Sequence, residues 1–407
     1  MRTIVYKIND PAAPPKGEVS LKADDIEKLK QAADCIDRGG LVVFPTETVY
    51  GIACKADQKS LARLDELKKR DTDKRYTLHI GDKDKLANFV PNLTLPAKKL
   101  VANGWPGPLT IVFEIDPVRD KVSKIPDGRQ RRPVSNGVDP KDINQLKTKF
   151  GSEIVEILYK DNTIGIRCPE NDIARELLNL CRFPVIAPSA NTAGKEPATN
   201  ASQAIEQLDG LVDMILDGGT CKYKKNSTVV KISSNGWEVI REGVYSEKQI
   251  KKMFTVRILF VCTGNTCRSP MAEGFAKKLL AEKLKCDIDR LGQMGYKVAS
   301  AGVAAIDGIG ASAEAIRLCA SKSVDITGHL TRKFTAKMLG EADYIFVMSA
   351  GHKSDIIRLF PAAVRKCMLL NSSGDIDDPI GGGDKAYKIC GETIEKAVNK
   401  RISELLK

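Results

Sequence analysis

The segment from Ile258 to Glu273 limits the possible folds more than any other: Ile258, Leu259, Phe260 and Val261 lead into Cys262, Thr263, Gly264, Asn265, Thr266, Cys267, Arg268, Ser269 and Pro270. An apolar strand runs into a glycine-bearing loop and then into a helix. The N–H groups of such a loop, with the unpaired N–H groups and positive dipole end of the helix, converge on the space above it as an anion cradle. A thiol held there is expected to titrate low, because those amides and the Arg268 guanidinium stabilise its thiolate. Five residues separate Cys262 from Arg268, so both can face one oxyanion. Sulfur then attacks phosphorus while the planar fork of Arg268 holds two equatorial oxygens. As buried hydrophobes or a metal pair the two cysteines fit poorly: Thr263, Gly264 and Asn265 make a poor core, and no second Cys or His cluster completes a zinc site.

This C-x5-R loop closed by Ser269-Pro270 resembles that of the low-molecular-weight phosphatases. The resemblance implies a cysteinyl-phosphate intermediate on Cys262 and no required cofactor. It also calls for an aspartate in an Asp-Pro pair near the C-terminus to protonate the leaving group. Asp377-Asp378-Pro379 supplies the pair, and matching to the family pattern selects Asp378 as general acid and later as base for water. Alone, this stretch would read as an acidic turn. Tyrosine phosphatases of the family usually carry a bulkier apolar residue where this chain has Thr266, and aromatic residues after the Asp-Pro pair. Thr266 and Ile380-Gly381-Gly382 instead resemble the branch that dephosphorylates protein arginine, since a small hydroxyl leaves room for a polar phosphoguanidinium whose charge Asp378 can pair. A phosphotyrosine phosphatase is the alternative. His329 and His352 read as surface or packing residues.

At 407 residues with 42% hydrophobic and 29% charged, the chain exceeds one ordinary core and calls for two or three soluble domains. The net charge of +12 favours acidic partners such as nucleotides, phosphates or RNA. Eleven cysteines without regular spacing, and no apolar leader or membrane-length run, point to free thiols in a reducing cytoplasm.

From the start, Thr3 to Ile8 reads as a strand, a helix begins near Asp24 and ends at Gly39-Gly40, and Leu41 to Phe44 is a buried strand. The turn Pro45-Thr46-Glu47-Thr48-Val49-Tyr50-Gly51 follows. A helix from Ser60 ends in Lys68-Lys69-Arg70, and Trp105-Pro106-Gly107-Pro108-Leu109-Thr110 fixes the backbone ahead of another strand. Arg167, then Ser189-Ala190-Asn191, then Ser227-Thr228-Val229-Val230, then Arg241-Glu242-Gly243 each place polar groups at a strand edge.

Over roughly residues 20 to 245 these pieces, in this order, resemble the YrdC-like threonylcarbamoyl-AMP synthases. That implies condensation of L-threonine, bicarbonate and ATP, with Mg2+ assisting, and a product passed to tRNA-modification enzymes. Carried over by motif, Thr46, Arg167, Ser189 and Ser227 line the threonine side, and Lys68, Arg70, Thr163, Asn191, Thr199 and Arg241 face ATP. No metal-ligating residues are assigned. The chain departs from the family at Asp71 and Arg75. A non-catalytic module for tRNA or double-stranded RNA is the alternative for this half.

The expected fold is α/β: a YrdC-like twisted mixed sheet with helices over residues 1–245, a linker over 246–255 exposing Lys248, Lys251 and Lys252, and a doubly wound parallel sheet of low-molecular-weight phosphatase type over 256–407. A basic insertion at about 116–162, with Arg129, Arg131, Arg132, Lys141, Lys147 and Lys149, reads as a solvated surface segment; the sharper reading is a tRNA or partner face. Phosphorylated proteins are the expected partners of the second half.

Overall fold

The computed structural model describes residues 2–8, 21–69, 75–90, 92–114 and 140–406. The chain divides into two compact units, Met1–Met253 and Phe254–Lys407. Arg70, Asp71, Arg129, Arg131 and Arg132 lie outside the described residues.

In the first unit the strands are β1 (Ile4–Lys7), β2 (Val42–Phe44), β3 (Gly51–Lys55), β4 (Thr77–His79), β5 (Leu109–Glu114), β6 (Thr163–Arg167), β7 (Val185–Ile186), β8 (Met214–Asp217), β9 (Thr228–Ser233) and β10 (Gly236–Arg241). They form one mixed sheet in the order β1-β8-β2-β3-β7-β4-β6-β5-β9-β10. Helix Ala23–Asp37 buries Leu29, Ala33 and Ile36, a helical repeat, against Val42, Phe44, Ile173 and Leu177. Loops at the ends of the short central strands carry the Thr46, Ser189 and Ser227 motifs.

The described part of the basic insertion is not wholly solvated. Helices Pro140–Phe150 and Ser152–Leu158 bury Leu146 and Val155 with Phe150 and Tyr159 packed alongside. The Phe150 ring stacks on Phe89 at 5.5 Å. These apolar residues recur at helical spacing among the lysines, a pattern that charge alone hides.

The segment expected as a linker is also structured. Helix Glu247–Phe254 buries Ile250 and Phe254, an i,i+4 pair on one face, so its lysines are the outer face of a helix.

In the second unit β11 (Val256–Cys262), β12 (Tyr296–Gly302), β13 (Tyr344–Val347) and β14 (Cys367–Leu369) form a parallel sheet in the order β12-β11-β13-β14. Leu259, Val261, Ile345 and Val347 face Ile356 and Leu339 on one side, and Phe260 stacks on Phe346 at 5.7 Å. Continuous apolar strands are what a parallel sheet covered by helices on both faces requires. Cys262 sits at the carboxyl end of β11 beside the point where strand order reverses, the usual ligand crevice of such sheets. Helix Arg268–Leu284 follows the loop, and helix Gly383–Leu405 closes the unit. Among the described residues no helix is long and apolar enough to cross a membrane.

Candidate active sites

In the second unit the carbonyls of the 262–266 loop are drawn outward. Those of Cys262 and Thr263 accept from the N–H groups of Val303 and Ala304 at 2.9 and 3.0 Å, and that of Thr266 from Ser312 at 2.9 Å. His329 Nε2 lies 2.8 Å from the Asn265 carbonyl. Asn265 adopts a left-handed φ of 58° and is fully buried. Its Nδ2 donates to Ser269 Oγ at 2.9 Å and Ser300 Oγ at 3.0 Å, while its Oδ1 accepts from the Arg332 N–H at 2.9 Å. Outward carbonyls free the loop's amides to face the space above Cys262.

Cys262 Sγ lies 3.0 Å from Ser269 Oγ. Burial pushes its thiol up, opposed by the Ser269 hydroxyl, the Ser269 and Asn265 amides and the Arg268 charge. The expectation of a low-titrating thiol is therefore not met in the ligand-free loop. The physical reason is burial, the largest influence on this thiol. The Arg268 guanidinium donates to Ile376 O at 3.0 Å and Thr263 Oγ1 at 3.3 Å, and is ion-paired with Asp378. Asp378, the aspartate next to the proline, is thus brought to the loop. Thr266 is half-buried, with its hydroxyl 3.4 Å from Cys267 Sγ, and Cys267 Sγ lies 3.0 Å from Tyr387 Oη. Gly264 is half-buried in the same loop.

The two histidines are not bystanders. His352, 7% exposed, places Nε2 2.9 Å from Thr263 Oγ1 and Nδ1 2.8 Å from Ser349 Oγ. Burial and the Arg268 charge hold its pKa below the usual histidine range. With Nδ1 protonated, the imidazole accepts from Thr263, which accepts in turn from Arg268.

In the first unit two clusters form. Lys68, buried in the last turn of helix Gln58–Lys68, donates to Ser189 O at 2.7 Å, Asn191 O at 2.8 Å and Asn191 Oδ1 at 2.7 Å. Asn191 also accepts from Ser189 Oγ at 2.7 Å, so one amide joins the lysine to the Ser-Ala-Asn turn. Tyr50, fully buried, ties the loops together. Its N–H donates to Ala198 O, its carbonyl accepts from the Ala190 N–H, and its hydroxyl donates to Gly219 O at 2.7 Å.

The second cluster centres on Arg167. Its Nη2 donates to Thr48 Oγ1 at 2.7 Å, Glu47 Oε1 at 2.8 Å and Thr46 Oγ1 at 3.4 Å, while its buried Nε has no partner among the described residues. Arg241 donates to Ser227 O at 2.9 Å and Ser227 Oγ at 3.4 Å, and Thr110 Oγ1 lies 3.0 Å from Ser227 Oγ. Burial and the nearby Arg167 charge lower the pKa of Arg241. As a whole residue Arg241 is exposed, whereas Arg167 is buried and already paired with Glu47. Arg241, expected to face the nucleotide, stands with the residues expected to face threonine.

Thr163 stands apart. It opens β6, whose other end is Arg167, and its hydroxyl donates to Lys160 O at 3.2 Å. At about 3.3 Å of rise per residue the strand separates it from the Arg167 cluster. Thr199 bonds Gln203 Oε1 through both its N–H and hydroxyl. Glu47, Thr48 and Tyr50 of the same turn also enter these clusters, although the resemblance implies a role for Thr46 alone.

A family model described as low molecular weight phosphotyrosine protein phosphatase matches residues 257–407, and one described as telomere recombination, the Sua5/YciO/YrdC family, matches 34–132 and 138–243. The threonylcarbamoyl-AMP synthase of Pyrococcus abyssi is 30% identical over 249 residues, covering 61% of this chain and 63% of that protein. That of Bacillus subtilis is 28% identical over 225 residues, covering 55% and 56%. The chain thus spans less than two thirds of the length of either synthase. The protein-arginine-phosphatase of Geobacillus stearothermophilus is 34% identical over 154 residues, covering 37% of this chain and 95% of that protein. Over its first unit the chain belongs to the Sua5/YciO/YrdC family, and over its second to the low-molecular-weight phosphatases.

Proposed function

We propose that the chain carries two activities: formation of threonylcarbamoyl-AMP from L-threonine, bicarbonate and ATP for tRNA modification, and hydrolysis of phosphoarginine on proteins. The observation that carries the second is the convergence of Cys262, Arg268 and Asp378 on one loop of inward amides. The Cys262 thiolate attacks phosphorus, the P–N bond breaks, and Asp378 gives its proton to the leaving guanidine nitrogen. Asp378 then takes a proton from water, whose oxygen attacks phosphorus as the S–P bond breaks and inorganic phosphate leaves. The arginine preference rests on the small, half-buried Thr266, the 34% identical arginine phosphatase, and the absence of an aromatic residue at Ile380-Gly381-Gly382.

For the first activity the support is the buried Arg167 among Thr46, Glu47 and Thr48, the Arg241–Ser227 contact, and a Lys68 anchored by Ser189 and Asn191. Arg167 Nε is the free donor that a carboxylate would take. Positioning of three reactants and neutralisation of phosphate charge supply the catalysis. Among the described residues no cluster of three or more carboxylate, histidine or thiol groups suited to a metal is present; Mg2+ would enter with the ATP phosphates, held by them and by water. The cytoplasm and tRNA-modifying enzymes complete this reading as location and recipients.

The test is a paired assay on the full chain. Pyrophosphate release should require both threonine and bicarbonate, and phosphate release from phosphoarginine peptides should vanish in Cys262→Ser with pyrophosphate release unchanged. RNA binding without pyrophosphate release would refute the synthase; turnover confined to phosphotyrosine peptides would refute the arginine phosphatase.

A further inference from the structure

A buried carboxylate closes a line of hydrogen bonds whose other end is Cys262. Glu273, 8% exposed in the second turn of helix Arg268–Leu284, accepts from Ser300 Oγ at 2.7 Å through Oε2 and from Lys277 Nζ at 2.6 Å through Oε1. Ser300, on β12, accepts from Asn265 Nδ2 at 3.0 Å. The same nitrogen donates to Ser269 Oγ, which lies 3.0 Å from Cys262 Sγ. The proposed reaction uses neither Glu273 nor Lys277.

Each link in this line has one direction. An ionised carboxylate only accepts, so the single Ser300 proton is committed to Glu273 and Ser300 meets Asn265 as an acceptor. Asn265 must then present its amide nitrogen, and the Arg332 N–H on Oδ1 holds the same orientation from the other side. Both Nδ2 protons are engaged, one on Ser300 and one on Ser269. Ser269, already accepting from Asn265, faces Cys262 with its own proton, and its alternative acceptor, Ala301 O, lies farther off at 3.3 Å. The line therefore delivers an O–H to sulfur, the direction that favours thiolate over thiol. Asn265, Ser269 and Ser300 are fully buried, so bulk solvent does not compete for these links.

We infer that Glu273 is a positioning residue for the nucleophile: by accepting from Ser300 it fixes the direction of the Ser300–Asn265–Ser269 line, so that the Ser269 proton faces Cys262. This rests on reading the second unit as a phosphatase, in which sulfur acts as thiolate. The charges at the two ends are Lys277 at Glu273, and Arg268, ion-paired with Asp378, at Cys262.

Lys277 allows direction to be separated from charge. In Glu273→Gln the one carbonyl oxygen turns to the Lys277 ammonium group and the amide N–H groups turn to Ser300. Ser300 then has no acceptor for its proton but Asn265, and the line breaks or reverses at that link. In Glu273→Gln combined with Lys277→Met, the glutamine oxygen is free to accept from Ser300, and the native direction returns without the carboxylate.

The test is alkylation of Cys262 by iodoacetamide in the full chain, followed by mass spectrometry between pH 5 and pH 9. Glu273→Gln should raise the midpoint of the Cys262 reaction by about one pH unit and slow it about tenfold at the acid end, with turnover of an aryl phosphate falling alongside. The double variant should bring both back to within about twofold of the native chain. A role in packing alone predicts the opposite order, since the double variant also gives up the Lys277 pair. Equal slowing in the two variants would overturn the directional role, as would a Glu273→Gln chain that reacts like the native one. If the thiol responds as expected but the native chain releases phosphate from neither phosphoarginine nor phosphotyrosine peptides, Glu273 keeps its role and the phosphatase reading fails.

Discussion

Asn265 is the residue on which the shape of the phosphate loop turns, and two substitutions separate its contributions. Its side chain makes three buried hydrogen bonds, to Ser269, Ser300 and Arg332, and its backbone holds a φ of 58°. Asn265→Gly keeps the backbone accessible and removes the three bonds, each worth about 1 kcal/mol net, so the loop should lose about 3 kcal/mol. Asn265→Ala removes the same bonds and adds the left-handed penalty of roughly 1–2 kcal/mol, for a total of about 4–5 kcal/mol. Since about 1.4 kcal/mol is a factor of ten, amide exchange across the loop should speed up roughly a hundredfold in the glycine variant and at least fivefold more in alanine, up to the limit set by global unfolding. Hydrogen exchange by mass spectrometry on peptides covering residues 258–270 reads this in the full chain, and turnover of an aryl phosphate should fall in the same order. Equal exchange in the two variants would show that the backbone there is not strained. A glycine variant indistinguishable from the native chain would show that the three bonds do not hold the loop.

Thr266→Ile should shift the ratio of turnover from phosphoarginine towards phosphotyrosine peptides by about tenfold or more, the scale set by burying a polar substrate group without its partner; an unchanged ratio removes Thr266 from substrate choice. Asp378→Asn should cut turnover a hundredfold or more yet tighten inorganic phosphate, because the carboxylate that competes for Arg268 is gone; equal or weaker phosphate binding by calorimetry would contradict that competition. In the first unit, His79 is buried edge-on to Phe44, and burial with the nearby Arg167 charge lowers its pKa from 6.5 to about 3. The unfolded chain therefore takes up the proton below about 6.5 while the folded unit does not, so stability is lost as pH falls through that window. The thermal midpoint of the first unit should decline from pH 7 to 4, and His79→Gln should flatten the decline; an identical slope would exclude His79 as its source.

What could be read in advance was chemistry written contiguously. Cys262 to Ser269 is one strand–loop–helix junction, so spacing alone places thiol, amides and guanidinium together, and the alternation of apolar runs gives β11, β12 and β13. What escaped reading lay at long separation. His329 and His352 contact loop residues 64 and 89 positions away, and nothing local to either histidine announces it. Lys68 reaches Asn191 across 123 positions, and there only the resemblance linked them. Motif order also fails to say which end of a strand a residue occupies: Thr163 and Arg167 stand at opposite ends of β6. Charge counting misled at 246–255, where Ile250 and Phe254 outweigh three lysines once the segment coils into a helix.

What a cation holds before phosphate arrives bears on how a site receives it. Lys68 donates to carbonyl and amide oxygens of the Ser-Ala-Asn turn, which hold its ammonium group in place. Arg268 is bound by the Asp378 carboxylate, which cancels it. A phosphoryl group entering the loop must take the guanidinium from that carboxylate, and doing so frees Asp378, 43% exposed at its side chain, to face the leaving atom. The Thr263 hydroxyl, held by His352, and the Ile376 carbonyl keep the guanidinium plane fixed through the exchange. In the proposed reaction, substrate binding and arming of the acid would then be a single event.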